Sequence, residues 1–195
     1  MWNERYSGSE YVYGTEPNDF LVEALSTRVI GRVFSAAEGE GRNAVWMASR
    51  GADVFSVDSS VAGVAKTLQL AAARGVSVDA RVGALEDLEL PFEGYDSIVS
   101  IFAHLPSVER RVLHRKFVNA LRPGGVLVLE AYTPAQLEYS TGGPKDVDLL
   151  LTANLLEIEL GGLDFIILRE VEREVVEGSL HTGLASVVQC LAIKP

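Results

Sequence analysis

The sequence predicts an α/β fold in which a mostly parallel sheet is flanked by helices and finished by an antiparallel hairpin. Three observations lead there: strand-like and helix-like segments alternate through most of the chain, a glycine-spaced turn joins the first such strand to its helix, and the chain ends in two long strand-like runs separated only by "SLHT". Alternating strands and helices build parallel sheets covered on both faces. Two strands that close in sequence pair as a hairpin.

The elements follow in order. "GRVFSA" (31–36) reads as a short buried strand and "RNAVWMASRG" (42–51) as a helix closed by a glycine. "ADVFSVD" (52–58) is the next strand, and the Ala- and Leu-rich "SVAGVAKTLQLAAARG" is a helix ending at Gly75. The pattern continues with strands at "VSVDARV" (76–82) and "YDSIVSIF" (95–102), a helix from Ser107 to about Leu121, and a strand at "GGVLVLEAY" (124–132). Between 133 and 162 a Gly/Pro turn precedes a Leu-rich helix of about 12 residues. "LDFIILREVEREVVEG" and "GLASVVQCLAIKP" form the hairpin. No repeat, low-complexity tract or linker interrupts the chain, which predicts one domain over 1–195, with an N-terminal lid segment and helix over 1–28 and a core over 29–195.

Composition narrows the class. Of 195 residues, 17 are Lys or Arg and 27 Asp or Glu, a net charge of -10, which argues against a nucleic-acid partner. In the densest basic run, "ERRVLHRK" (109–116), the helical spacing of Leu113, Phe117 and Leu121 places Arg111 and Arg115 on a solvated face and His114 at the surface. The lone Cys190 lies in an apolar run and is expected to be buried and inert. No apolar leader and no stretch near the roughly 18 apolar residues of a membrane span is present, so a cytoplasmic protein without a membrane partner is expected, as a monomer or homodimer acting on a small molecule.

The glycine turn carries the ligand argument. Gly39-Glu40-Gly41-Arg42-Asn43-Ala44 satisfies G-x-G-x-x-G/A between a strand and a helix. Asp58 ends the second strand, with Ser59 beside it, where a carboxylate accepts both hydroxyls of a ribose. Glu38 and Glu40 would oppose a pyrophosphate on the helix N-terminus. S-adenosylmethionine carries a sulfonium and an ammonium instead of phosphates, so an acidic loop complements it. Candidate chemistry lies at the loops after the strands: His104 in "FAHLP" reads equally as a group at the acceptor, either a base whose rate would fall below about pH 6.5 or a clamp, or as a cap of the following helix. His181 reaches the same rim only if the hairpin folds back. Trp2, Tyr6, Tyr11 and Tyr13 can cover the cofactor or simply pack an N-terminal arm, Arg5 can pair with a carboxylate, and Phe102 ends the fourth strand. No metal site is expected.

"VFSAAEGEGRNAVWMASRGADVFSVDSS" resembles the first motifs of class I S-adenosylmethionine (SAM)-dependent methyltransferases, and "WNERYSGSEYVYGTEPNDFL" resembles the N-terminal segment of their small tellurite-resistance (TehB-type) branch. "IFAHLP", "LRPGGVLVLEAYTP" and the terminal hairpin are similar as well. The resemblance implies a Rossmann-like three-layer sandwich with a seven-stranded sheet of order 3-2-1-4-5-7-6, strand 7 antiparallel. It also implies SAM as cofactor and a small nucleophile, such as a thiol or metalloid oxyanion, as methyl acceptor. Three positions depart from the family pattern: Ser35 and Ala84 stand where relatives often carry acids, and Ala37 where they carry glycine, so Ala37 is expected at negative φ and the base at the backbone of Ala84 and Leu85, near Glu86. An NAD-dependent oxidoreductase and a non-catalytic SAM-binding module stay open as alternatives.

Overall fold

The computed structural model describes residues 2–178 and 181–195, so Met1, Ser179 and Leu180 lie outside the described residues. Helices α1 (Trp2–Arg5) and α2 (Asp19–Leu25) precede β1 (Arg32–Ala36), α3 (Arg42–Ser49), β2 (Asp53–Asp58), α4 (Val61–Ala73) and β3 (Asp79–Val82). Then come β4 (Tyr95–Ile101), α5 (Ser107–Ala120), β5 (Leu121–Tyr132), α6 (Ala153–Glu159), β6 (Asp164–Glu177) and β7 (His181–Ile193), with 3-10 turns at Pro134–Glu138 and Val147–Leu149. The strands form one seven-stranded sheet of order β3-β2-β1-β4-β5-β7-β6. β7 runs antiparallel to both β5 and β6, and the remaining pairs are parallel. Order and direction are those expected.

Successive residues of the central strands feed opposite layers, because side chains alternate across a pleated sheet. Phe34, Ile98 and Leu127 pack with Leu113 and Phe117 of α5 and Leu156 of α6. Val33, Val99 and Val128 pack with Leu21 of α2, Met47 of α3 and Leu70 of α4. This burial on both faces is why the strands read as nearly continuous apolar runs rather than alternating ones. Among the described residues no helix is long and apolar enough to cross a membrane. Cys190 is fully buried, and burial pushes its thiol up to about 12.

Two expectations are corrected. The Leu-rich helix is shorter than expected: α6 spans seven residues, started by Thr152, whose side chain accepts from the Leu155 N–H. The leucines before it, Leu150 and Leu151, are buried in an extended strap that returns to the C-terminal end of β5, with the Leu151 N–H donating to the Tyr132 carbonyl at 2.9 Å. His114 is not at the surface. It is 3% exposed, and its Nδ1 lies 2.8 Å from Oε2 of Glu159, which Arg110 also grips at 3.0 Å. Burial alone would raise the Glu159 carboxyl, but the bonds from His114 and Arg110 prevail and hold it at about 2. Arg110 and His114 lie on the Leu113–Phe117 stripe and so face α6, while Arg111 on the next face is exposed, as expected.

Candidate functional site

A cavity of about 610 Å³ opens at the C-terminal ends of β1, β2 and β4, where the strand order reverses. The glycine loop forms one wall, and its two acids are not free to meet a ligand charge. Glu38 accepts from the Ser35 hydroxyl and from the backbone N–H groups of Asn43 (3.0 Å) and Ala44 (2.8 Å). Its carboxylate therefore fills the anion position at the N-terminus of α3. Burial raises the Glu38 carboxyl, with the Ser35 hydroxyl and those N–H groups pulling the other way. Glu40 pairs with Lys66 of α4 at 2.7 Å and accepts the Val12 N–H at 2.8 Å, which ties the N-terminal segment over the loop. The acidic loop is thus explained by internal bonds rather than by a cationic ligand, although both side chains border the cavity.

The loop backbone also differs from expectation. Ala37 stands at φ 49°, in the left-handed region rather than at negative φ. Gly39 borders the cavity at φ 64°, with Tyr6 so close that an added Cβ would meet its hydroxyl at 2.9 Å. Gly41, at φ 94°, does not border the cavity; an added Cβ would meet the Thr67 Cα at 2.7 Å, so it lets α3 and α4 approach and makes no place for a ligand. Asn43 does border the cavity, and its Oδ1 accepts the Asn18 N–H at 2.9 Å.

At one end of the cavity lie Asp58, Ser59, Ala84, Leu85 and Glu86. Asp58 Oδ2 accepts the Gly39 N–H and Oδ1 the Ser60 N–H, each at 2.8 Å, so each oxygen keeps a lone pair for a hydroxyl. Burial raises the Asp58 carboxyl, and the Ser60 and Gly39 N–H groups oppose that. Over the loop, Trp2 stacks on Tyr6 with centroids 5.6 Å apart, and Tyr6 meets Tyr13 edge-on at 6.3 Å. Arg5 lies over the Trp2 ring at 4.7 Å and donates to the Tyr13 hydroxyl at 3.0 Å. Tyr11 instead anchors the segment, donating to the Lys66 carbonyl at 3.2 Å.

The other end is a chamber of rings. Phe102 lies at φ 52°, a disfavoured value for an aromatic residue, with its N–H on the Glu130 carbonyl at 2.7 Å. Its ring meets Tyr132 at 4.7 Å and His181 at 5.0 Å, and His104 stacks on Tyr132 at 5.6 Å with planes 7° apart. His104 Nδ1 is 3.0 Å from the Leu149 carbonyl, and since a carbonyl only accepts, Nδ1 carries the proton and Nε2 the lone pair. Burial drives its pKa down to about 4, so the ring is neutral near pH 7. The capping alternative fails: Pro106 is the N-cap of α5, and Asp148 takes the Ser107 N–H at 2.8 Å.

His181 opens β7 and packs 4.6 Å from the Tyr13 ring, so the hairpin does bring it to the rim. Behind it Glu177 pairs with Arg42 at 2.5 Å and Arg173 at 3.1 Å, and Asn18 bridges Glu177 and Glu130 at 2.8 Å each. Burial would raise the Glu177 carboxyl, yet its His181 and arginine partners hold it at about 2. Tyr132 and the strap residues Gly143 and Pro144 border the cavity without having been singled out in the sequence. Tyr132 had one visible signal, its place as the last residue of a strand on the ligand-binding edge. Among the described residues no group of three or more His, Cys, Asp or Glu could hold a metal ion.

Residues 33–125 match the family model described as "Methyltransferase domain". The glycine/sarcosine N-methyltransferase of Halorhodospira halochloris is 34% identical over 122 residues, which is 57% of this chain and 44% of that protein, so the match spans less than half the length of this curated relative. TehB from Haemophilus influenzae superposes with a TM-score of 0.76 at 18% identity over 100% of this chain and 66% of its own. N-methyltransferase NodS from Bradyrhizobium japonicum WM9, solved with S-adenosyl-L-homocysteine, gives 0.71 at 14% identity over 98% of this chain and 86% of its own. At such identities the superpositions show the fold, a Rossmann-like methyltransferase sandwich.

Proposed function

We propose that the cavity binds SAM and that the chain transfers its methyl group to a small nucleophile lodged among the rings of Phe102, His104, Tyr132 and His181. One observation carries the choice of cofactor: the N–H groups at the start of α3 are occupied by Glu38, while Asp58 keeps acceptor capacity at the ribose position. A dinucleotide would set its pyrophosphate where the Glu38 carboxylate already stands; SAM has no such group. When bound, SAM supplies an electrophilic methyl on a cationic sulfur. Asp58 accepts the ribose hydroxyls, with Ser59 beside it, and the backbone of Ala84 and Leu85 borders the base, near Glu86. Arg5 is the cation available for the methionyl carboxylate. Tyr6, Tyr13 and Phe102 exclude water and present rings to the positive charge. Methyl transfer is an in-line displacement, so the chain contributes mainly alignment.

The resemblance to the tellurite-resistance branch offers a metalloid oxyanion or a thiol as acceptor, and the name of the curated relative adds an amine. An acidic chain of net charge -10 fits a cytoplasmic enzyme without a nucleic-acid or membrane partner, acting as a monomer or homodimer. Calorimetric titration with SAM, S-adenosylhomocysteine and NAD tests the reading: the first two are expected to bind and NAD not. Asp58→Ala is expected to weaken SAM binding about 10- to 100-fold, the loss of hydrogen bonds to a charged group. Unchanged affinity in that variant removes Asp58 from the site, and binding of NAD in preference to SAM replaces the reading with the oxidoreductase alternative.

A further inference from the structure

The ring chamber constrains the acceptor. Two buried polar atoms border it without a hydrogen-bond partner among the described residues, His104 Nε2 and the Tyr132 hydroxyl, whereas His181 Nδ1 lies 3.6 Å from Oε2 of Glu177. Buried polar atoms are normally satisfied, so these define what a ligand must supply. His104 Nε2 can only accept, because Nδ1 holds the proton against the Leu149 carbonyl. Charge is the second constraint. Of the cations that border the cavity, Arg42 is paired with Glu177, and Arg5 lies over Trp2 in the N-terminal cover. Lys145, next to Pro144, is exposed and outside the lining. An oxyanion, carboxylate or thiolate would therefore be buried among rings with no protein cation beside it.

We propose, building on the SAM reading, that the methyl acceptor is an uncharged nitrogen nucleophile bearing an N–H bond and no carboxylate, held by that N–H on His104 Nε2 and by the Tyr132 hydroxyl. The electron balance suits the chamber. The nitrogen lone pair forms the C–N bond as the C–S bond breaks, and its electron pair stays on a sulfur that becomes neutral. One positive charge thus leaves sulfur and arrives on nitrogen without leaving the aromatic surroundings that favour a cation. The methylated ammonium then gives up its N–H proton to water on release, so no strong base is required. A thiol would have to lose its proton first, and a histidine whose conjugate acid is destabilised by burial is a poor recipient for it.

The test follows S-adenosylhomocysteine release near neutral pH with imidazole, aniline, 2-mercaptoethanol, sodium selenite and glycine as probes, on protein whose SAM affinity has been measured by calorimetry. At least one of the two nitrogen probes is expected to turn over roughly tenfold faster than each of the other three. Tyr132→Phe and His104→Gln are expected to lower kcat/KM for that probe by roughly tenfold while the SAM Kd stays within about twofold. Fastest turnover on selenite, thiol or glycine overturns the proposal, as does no turnover on either nitrogen probe by protein that binds SAM. Unchanged kcat/KM in both variants removes the contacts. Protein that fails to bind SAM defeats the cofactor reading instead, an outcome visible before any acceptor is added.

Discussion

Valine in place of Gly41 is expected to destabilise the fold by about 2–5 kcal/mol and to lower the Tm accordingly. The residue stands at φ 94°, and its added Cβ would lie 2.7 Å from the Thr67 Cα and 2.8 Å from the Thr67 Cβ. A backbone atom of α4 cannot swing aside as a flexible side chain would, so α3 and α4 must separate. The left-handed backbone costs roughly 1–2 kcal/mol, more for a β-branched residue. Overpacking adds typically about 1–3 kcal/mol. The sum is a large share of a net stability of about 5–15 kcal/mol. Thermal denaturation without any ligand is the check, because the defect lies in helix packing and not in a ligand contact. A wild-type Tm would mean that the loop is built otherwise.

Alanine at His104 is expected to reduce turnover by roughly tenfold or more with little change in SAM affinity, because the acceptor loses the Nε2 lone pair that holds its N–H. Because burial holds the wild-type imidazole neutral down to about pH 4, the rate should stay level through pH 6.5, where an ordinary imidazole would already be protonating. Stability supplies an independent reading. The folded pKa lies below the ordinary value of about 6.5, so between pH 6.5 and 4 the unfolded state binds more protons and stability falls as the pH is lowered. His104→Ala should flatten that part of the stability profile. Glu159 and Glu177, both held at about 2, act in a lower window, as the pH falls below about 4.5. Wild-type turnover in the folded His104→Ala protein would end its role at the acceptor.

The fold was legible because the two signals that determine it are local. Period and run length mark Val33 to Ala36 and Val126 to Tyr132 as buried strands, and the brevity of "SLHT" leaves no room for a crossover. The wall built by the loop after β1 and by Asp58 at the end of β2 was legible for the same reason: fingerprint and acid lie within 20 residues of one another. What escaped depends on partners distant in the chain. Glu40 meets Lys66 and Val12, and His114 meets Glu159, pairings that no spacing encodes. Ala37 takes a positive φ because β1 must turn at once into a loop held by Glu38 on α3, a tertiary demand that overrides its propensity. The strap around Gly143 joins the chamber only because Leu151 and Leu149 bring that segment back against β5 and His104.

The most direct test of the central claim is a crystal structure of the protein with S-adenosylhomocysteine. The account predicts ribose hydroxyls on the Asp58 carboxylate, adenine beside Ala84 and Leu85, the Glu38 carboxylate still on the N–H groups of Asn43 and Ala44, and the sulfur facing the rings of Phe102, Tyr132 and His104. A ligand bound elsewhere, or bound in this cavity with its ribose away from Asp58 and its sulfur turned from those rings, would contradict it.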